Sequence, residues 1–144
     1  MYLKSAWRAL GKLYYHLLQI GNVDEFKLDE EESENRECEF KANQLSKITG
    51  KLGEVADLYE YLEREVLMEG KLVKGERGIY KIDGTAIYYR YGKRIEYYDK
   101  RINNFNISIV GYDGRDYYIV GYPLPMQGIL VRTRGYKERR NEMG

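Results

Sequence analysis

Short segments rich in β-branched and aromatic residues crowd the second half of the chain, and they constrain the fold more than any other feature. Val, Ile, Tyr and Phe favour strands, whereas the Gly, Asn and Asp residues between the segments favour turns. Short strands at such close spacing predict a small antiparallel β-barrel, closed or nearly closed and SH3-like. The segments are residues 85–91, 94–98, 105–110, 116–120 and 128–134.

The first half of the chain has the periodicity of helices. One apolar stripe predicts a first helix, and a heptad-like series predicts a second helix from about residue 35 to residue 68. Gly50 and Gly53 leave open whether the second helix is continuous or broken near Gly50. The stripe consists of Leu3, Trp7, Leu10, Leu13, Tyr14, Leu17 and Leu18, and the series of Cys38, Ala42, Leu45, Leu52, Val55, Tyr59, Leu62 and Val66.

These patterns predict an α+β protein in which an N-terminal helical hairpin precedes the barrel. The predicted parts are an acidic helical hairpin over residues 1–69, a basic Tyr-rich barrel over residues 70–134 and a flexible tail over residues 135–144. Residues 1–69 hold 9 Lys and Arg against 15 Asp and Glu, a balance of −6, and residues 70–144 hold 15 against 8, a balance of +7. Each part therefore offers a potential of one sign to a partner, or the two parts attract each other.

The composition argues against an enzyme that depends on a metal, a cofactor or a nucleophile. His16 and Cys38 are the only histidine and the only cysteine, and neither has a flanking motif for catalysis or for zinc. No Walker or dinucleotide glycine pattern occurs. With one cysteine, no membrane-length apolar run and no secretory signal, we expect a cytoplasmic protein that needs no cofactor.

The strand and turn residues at 70–73, 77–84, 94–96, 116–120 and 128–132 resemble an uncharacterised family of small-barrel proteins. That family occurs in low-GC Gram-positive bacteria and their mobile elements, and the likeness covers roughly residues 70–134. The resemblance implies a bacterial or phage context. It implies no catalytic residue.

Two surfaces are candidates for binding a partner. An acidic run over residues 24–39 could imitate a nucleic-acid backbone, or it could be a plain solvated connection. Strand alternation also places tyrosines and arginines on one barrel face, which suits single-stranded nucleic acid or a protein interface. The candidates are Glu30, Glu31, Glu32, Glu34 and Glu37 in the run, and Tyr88, Arg90, Arg94, Tyr98, Arg132 and Arg134 on the barrel face.

The preferred hypothesis, partly drawn from the resemblance, is a phage-type accessory protein without enzymatic activity. It would bind and inhibit a host enzyme that handles nucleic acid, such as a CRISPR nuclease. The alternatives are direct DNA or RNA binding by the barrel face, and a structural homodimer. The dimer would form through a seam on the second helix, which appears longer than the first helix can cover; the seam residues are Leu45, Leu52, Tyr59 and Leu62.

Overall fold

The computed structural model describes residues 2–20 and 28–135. The predicted tail from residue 136 onward lies outside the described residues, as do Asp24 and Glu25 of the acidic run. The chain divides into two compact units, a helical unit that ends at Glu63 and a sheet unit that begins at Arg64. This division falls earlier than the boundary after residue 69 that the sequence suggested.

The helical unit contains α1 (Leu3–Ile20), the short α2 (Glu30–Ser33) and α3 (Arg36–Glu63). Trp7 near the start of α1 donates a hydrogen bond to Glu63 at the end of α3, so the two long helices pair antiparallel. Tyr59 of α3 packs between Trp7 and Tyr14, with ring centroids 5.2 and 5.3 Å away. Gly11 permits this approach, because a Cβ there would lie 2.9 Å from the Tyr59 hydroxyl.

The second predicted helix is continuous, and it ends earlier than the sequence indicated. α3 runs through Gly50 and Gly53 without a break. It stops at Glu63 rather than near Met68, because residues from Glu65 onward form a strand that pairs with the last strand of the chain. The spacing of Leu62 and Val66 is compatible with a helix. The pairing with the last strand, which is distant in sequence, nevertheless makes the residues from Glu65 onward a strand.

The sheet unit is a seven-stranded antiparallel sheet with the strand order β3-β2-β1-β7-β4-β5-β6. A one-turn 3-10 helix, Glu76–Gly78, lies between the first two strands. The strands are β1 (Glu65–Lys74), β2 (Tyr80–Ile82), β3 (Tyr88–Tyr89), β4 (Arg94–Asp99), β5 (Asn104–Tyr112), β6 (Tyr117–Ile119) and β7 (Leu130–Gly135).

The sheet curls into a half-barrel around one apolar core. Across the curl, the Tyr80 hydroxyl of β2 donates to Asp116 at 3.2 Å, and Lys74 of β1 lies 3.5 Å from the same carboxylate. These contacts bring β1 and β2 against the β5–β6 hairpin. The α+β class, a helical pair followed by a small curled antiparallel sheet, is confirmed. The core consists of Leu72, Tyr80, Ile82, Tyr89, Ile95, Tyr97, Val110, Ile119, Tyr122, Met126 and Val131.

Two predicted turns have different outcomes. The Asp113-Gly114 turn joins β5 to β6 as a hairpin, with Gly114 at φ 94° and Tyr112 opposite Tyr117. The turn between the predicted strands at residues 85–91 and 94–98 does not form a hairpin, since β3 and β4 are not neighbours in the sheet. Gly92 does turn there, at φ 82°, but β3 pairs with β2 at the sheet edge.

Among the described residues, no helix is both long enough and apolar enough to cross a membrane.

Candidate binding surfaces

Two arginines of the predicted barrel face are held by a buried carboxylate. Glu96 in the middle of β4 is 2% exposed, and it accepts hydrogen bonds from Arg132 and Arg134 on the adjacent β7. Arg134 is 2.7 Å from one Glu96 oxygen and 3.2 Å from the other, and it also donates to the carbonyl of Arg64 at 3.0 Å. Both guanidinium groups are therefore committed to the fold rather than offered to phosphates.

Tyr98 belongs to the same outer region of the sheet. Its ring meets Phe105 edge to face with centroids 5.6 Å apart, and its hydroxyl donates to Asn103 at 2.9 Å. Arg132 lies 4.0 Å from the centroid of the Phe105 ring. The structure thus brings Tyr98, Arg132 and Arg134 together, but as a packed cluster whose polar groups are paired.

Tyr88 and Arg90 form a different surface at the β3 edge of the sheet, which we call the tyrosine patch together with Lys81, Tyr91 and Lys93. Arg90 lies 5.8 Å and Lys81 5.9 Å from the centroid of the Tyr88 ring. The Lys93 amine donates to the Tyr88 carbonyl at 2.9 Å. Tyr91 is 74% exposed, so the patch presents aromatic surface among cations.

Burial affects the titration of two side chains next to the tyrosine patch. The Lys93 amine lies 4.6 Å from the centroid of the Tyr89 ring, and burial lowers the pKa of Lys93, although much of its stem is exposed. Burial, followed by the nearby Glu96 carboxylate, raises the pKa of Tyr89 to about 12. The Tyr89 phenol therefore stays neutral at physiological pH and acts as a core residue.

The six residues predicted to share one barrel face are split between two surfaces. Arg94 is half-buried at the start of β4 and has an interaction partner. Tyr98 lies four residues further along that strand, about 13 Å away at the usual strand rise. Alternation placed the six residues on one face, but the strand order divides them and the neighbouring strands decide which cations are neutralised.

The chain has no match among family models, curated proteins or solved structures. The resemblance suggested by the strand and turn residues therefore stays a prediction.

The described part of the acidic run is folded, and we call residues 29–39 the acidic segment. Asp29 caps α2: its carboxylate accepts from the Glu32 backbone N–H at 2.7 Å, and Glu32 accepts from the Asp29 N–H at 3.3 Å. The hydrogen bond from the Glu32 backbone lowers the pKa of Asp29 below its ordinary value. A plain solvated connection was the alternative interpretation, and the exposed, capped helical turn of these residues is compatible with both.

The candidate carboxylates of the acidic segment do not form one helical row. α2 ends at Ser33, Glu34 is its C-terminal cap, and Glu37 is in the first turn of α3. Glu30, Glu34 and Glu37 therefore do not lie along one continuous helix, because α2 ends before α3 begins at Arg36. All five candidate glutamates are nevertheless exposed.

The predicted dimer seam is partly used within the chain. Tyr59 packs on α1, and Leu52 and Leu62 are half-buried. Leu45 is 41% exposed, and its neighbour Ile48 is 52% exposed. The exposed part of the seam is thus the N-terminal half of α3.

Sequence reasoning missed a cleft of about 460 Å³ on the sheet unit. Tyr98 lines it, but so do Lys71, Lys100, Leu124 and Leu130, which had not been singled out. Lys71 is on β1, and no short-range pattern indicates that this strand lies beside β7. The pairing of Lys71 with Leu130 and of β4 with β7 brings these residues together.

Residues 2–20 and 28–135 contain no group of three His, Cys, Asp or Glu side chains arranged to hold a metal ion. His16 is exposed on α1 and Cys38 is half-buried on α3.

Proposed function

We propose that this protein is an accessory protein without enzymatic activity that binds and inhibits a host enzyme acting on nucleic acid, such as a CRISPR nuclease. The acidic segment would occupy the place of a phosphate backbone in that enzyme. The observation that carries the proposal is that this segment is folded, capped and exposed while its charge is left largely uncompensated. The bacterial or phage setting implied by the sequence resemblance is consistent with such a role.

The acidic segment carries a large excess of negative side chains. Seven carboxylates stand against the single cation Arg36, a balance of −6 over residues 29–39. Among the described residues, the structure shows no ion pair to the candidate glutamates. A cleft that grips phosphates with Lys and Arg would attract this segment from a distance and raise the association rate, most strongly at low salt. Because the segment is ordered, binding would cost little additional conformational entropy.

Capture of a partner by matched variants tests this proposal. The tagged protein is incubated with a bacterial lysate treated with nuclease, so that bridging nucleic acid is removed. The double variant Glu31→Gln/Glu34→Gln is compared with Glu54→Gln/Asp57→Asn, which removes the same charge from exposed positions of α3. Glu32 stays unchanged because it completes the cap of α2. We expect the first variant to lose a captured nucleic-acid-handling enzyme and the second to keep it; equal capture by both would contradict the proposal.

Direct nucleic-acid binding is a second candidate, and the tyrosine patch favours it. Single-stranded nucleic acid is bound by aromatic rings that stack on bases and by cations that follow the backbone. Tyr88 with Arg90 and Lys81 within 6 Å of its ring, beside the exposed Tyr91, supplies both. The patch lies on the sheet unit, which carries 13 Lys and Arg against 8 Asp and Glu over residues 64–135.

Fluorescence anisotropy with a labelled oligothymidylate tests the second candidate. Tyr88→Ala should weaken binding by about 1–3 kcal/mol if a base stacks on the ring, and Tyr2→Ala, which changes an exposed tyrosine of the helical unit, should have no effect. Affinity should also fall steeply with salt, because neutralised phosphates release counterions. No binding at low salt would exclude this function.

A further inference from the structure

The missed cleft has an apolar interior with two lysines beside it. It opens where β7 begins, with Leu130 between Lys71 of β1 and Tyr98 of β4. The loop between β6 and β7 forms another wall, to which Leu124 and Ile129 contribute. Its volume of about 460 Å³ lies within the range of ordinary ligand sites.

The two cations of this cleft lack a carboxylate partner, unlike four other cations of the sheet unit. Arg132 and Arg134 are paired with Glu96, Arg101 with Asp99, and Lys74 with Asp116. Within the part of the chain that the structure describes, neither the Lys71 nor the Lys100 amine has an ion pair, and none of the residues lining the cleft is acidic. The cleft therefore offers apolar surface and uncompensated positive charge together.

We propose that this cleft binds an acidic peptide segment of another protein. An apolar side chain of that segment would lie between Leu124 and Leu130, and flanking carboxylates would meet Lys71 and Lys100. Leu124 is 43% exposed, so seating an apolar group against it removes apolar surface from water. The proposal stands on the cleft alone and does not depend on the acidic segment of this chain.

The walls of the cleft favour a peptide over nucleic acid. Leu124, Pro125, Ile129 and Leu130 provide aliphatic surface. Of the two lining tyrosines, Tyr122 is 4% exposed and packs on Tyr97, and the Tyr98 hydroxyl is bonded to Asn103, whereas bases bind best on open aromatic platforms. Two backbone N–H groups and one amide oxygen of the loop are already hydrogen-bonded. The Gly128 N–H donates to the Leu72 carbonyl at 2.8 Å, the Ile129 N–H to the Met126 carbonyl at 3.1 Å, and the Gln127 side-chain oxygen accepts from the Lys74 N–H.

The probe is a fluorescein-labelled peptide of Asp and Glu residues around one central leucine, measured by anisotropy with the full chain. The variant Lys71→Gln/Lys100→Gln should weaken its binding about tenfold, since two attractive charge pairs with the peptide are lost. The matched control is Arg77→Gln/Arg115→Gln, which removes two exposed charges elsewhere on the sheet unit and should leave binding unchanged. Near-ultraviolet circular dichroism confirms that each variant is folded.

A second pair of variants tests the proposed apolar contact between the peptide and Leu124. Leu124→Ser should weaken binding severalfold, whereas Ile102→Ser, at a 56% exposed position on the β4–β5 turn, should not. A probe with serine in place of leucine should bind weakly to every variant.

Three results would overturn the proposal. One is unchanged peptide binding by the Lys71→Gln/Lys100→Gln variant. Another is competition by oligothymidylate together with indifference to Leu124→Ser, which would indicate a phosphate site. The third is displacement of the probe by decanoate at concentrations where an unlabelled acidic peptide fails to displace it, which would indicate a site for anionic amphiphiles.

Discussion

Replacing Glu96 by glutamine should destabilise the sheet unit more than most single substitutions. The change keeps the shape of the side chain but removes the charge of the buried carboxylate that is paired with both Arg132 and Arg134. Glu96 is 2% exposed, whereas Arg134 is 14% and Arg132 24% exposed. Removing one partner of a buried ion pair costs roughly 3–5 kcal/mol. Because water still reaches Arg132, we expect a loss near the lower end, about 3 kcal/mol.

Urea unfolding measures this loss without adding salt that would screen the charges. Tyrosine near-ultraviolet circular dichroism follows mainly the sheet unit, which holds ten described tyrosines against five in the helical unit, and the fluorescence of Trp7, the single tryptophan, follows the helical unit. The control is Glu69→Gln, at an exposed position opposite Arg132 on β1, for which we expect a change within about 0.5 kcal/mol. If Glu96→Gln and Glu69→Gln unfold at the same urea concentration, the Glu96 cluster does not hold the strands together.

Three further predictions concern acid stability, the long helix and self-association. The hydrogen bonds from the Arg101 side chain hold the pKa of Asp99 well below its ordinary value. The stabilisation from this contact should therefore be complete above about pH 4 and decrease as the pH falls further. In an acid titration followed by near-ultraviolet circular dichroism, Asp99→Asn should flatten this dependence. Gly50→Ala should raise the stability of the helical unit by about 1 kcal/mol in thermal unfolding followed by Trp7 fluorescence, since a Cβ there meets nothing within 4 Å. The exposed Leu45 and Ile48 on α3 predict a homodimer, and light scattering that gives a monomer mass across the micromolar range would exclude it.

The sequence predicts most of the local structure because its strand and turn signals are local. Alternating residues mark β4 and β5, and an Asp-Gly pair marks the hairpin between β5 and β6. The sequence did not predict the start of β1, because Val66 continues the helical repeat of α3. The residue that pairs with Val66 in the sheet, Arg134, is distant in sequence. Pairing over such a distance leaves no short-range pattern.

The candidate surfaces were predicted less well for the same reason. Composition identified the acidic segment, and Tyr88 with Arg90 could be found by alternation within one strand. The role of Arg132 could not be predicted in this way, because it depends on Glu96, which lies opposite Arg132 on β4. The cleft depends on a loop wall and on two strands that are distant in sequence.

We propose that the acidic segment takes the place of nucleic acid in a partner enzyme, and inhibition kinetics of the captured enzyme should then show competition with the nucleic-acid substrate. The rate of nucleic-acid turnover is measured against substrate concentration at several concentrations of this protein. We predict a rising KM at constant kcat, an effect that weakens with salt and disappears with Glu31→Gln/Glu34→Gln but remains with Glu54→Gln/Asp57→Asn. A falling kcat at constant KM, or full inhibition by Glu31→Gln/Glu34→Gln, would contradict the claim.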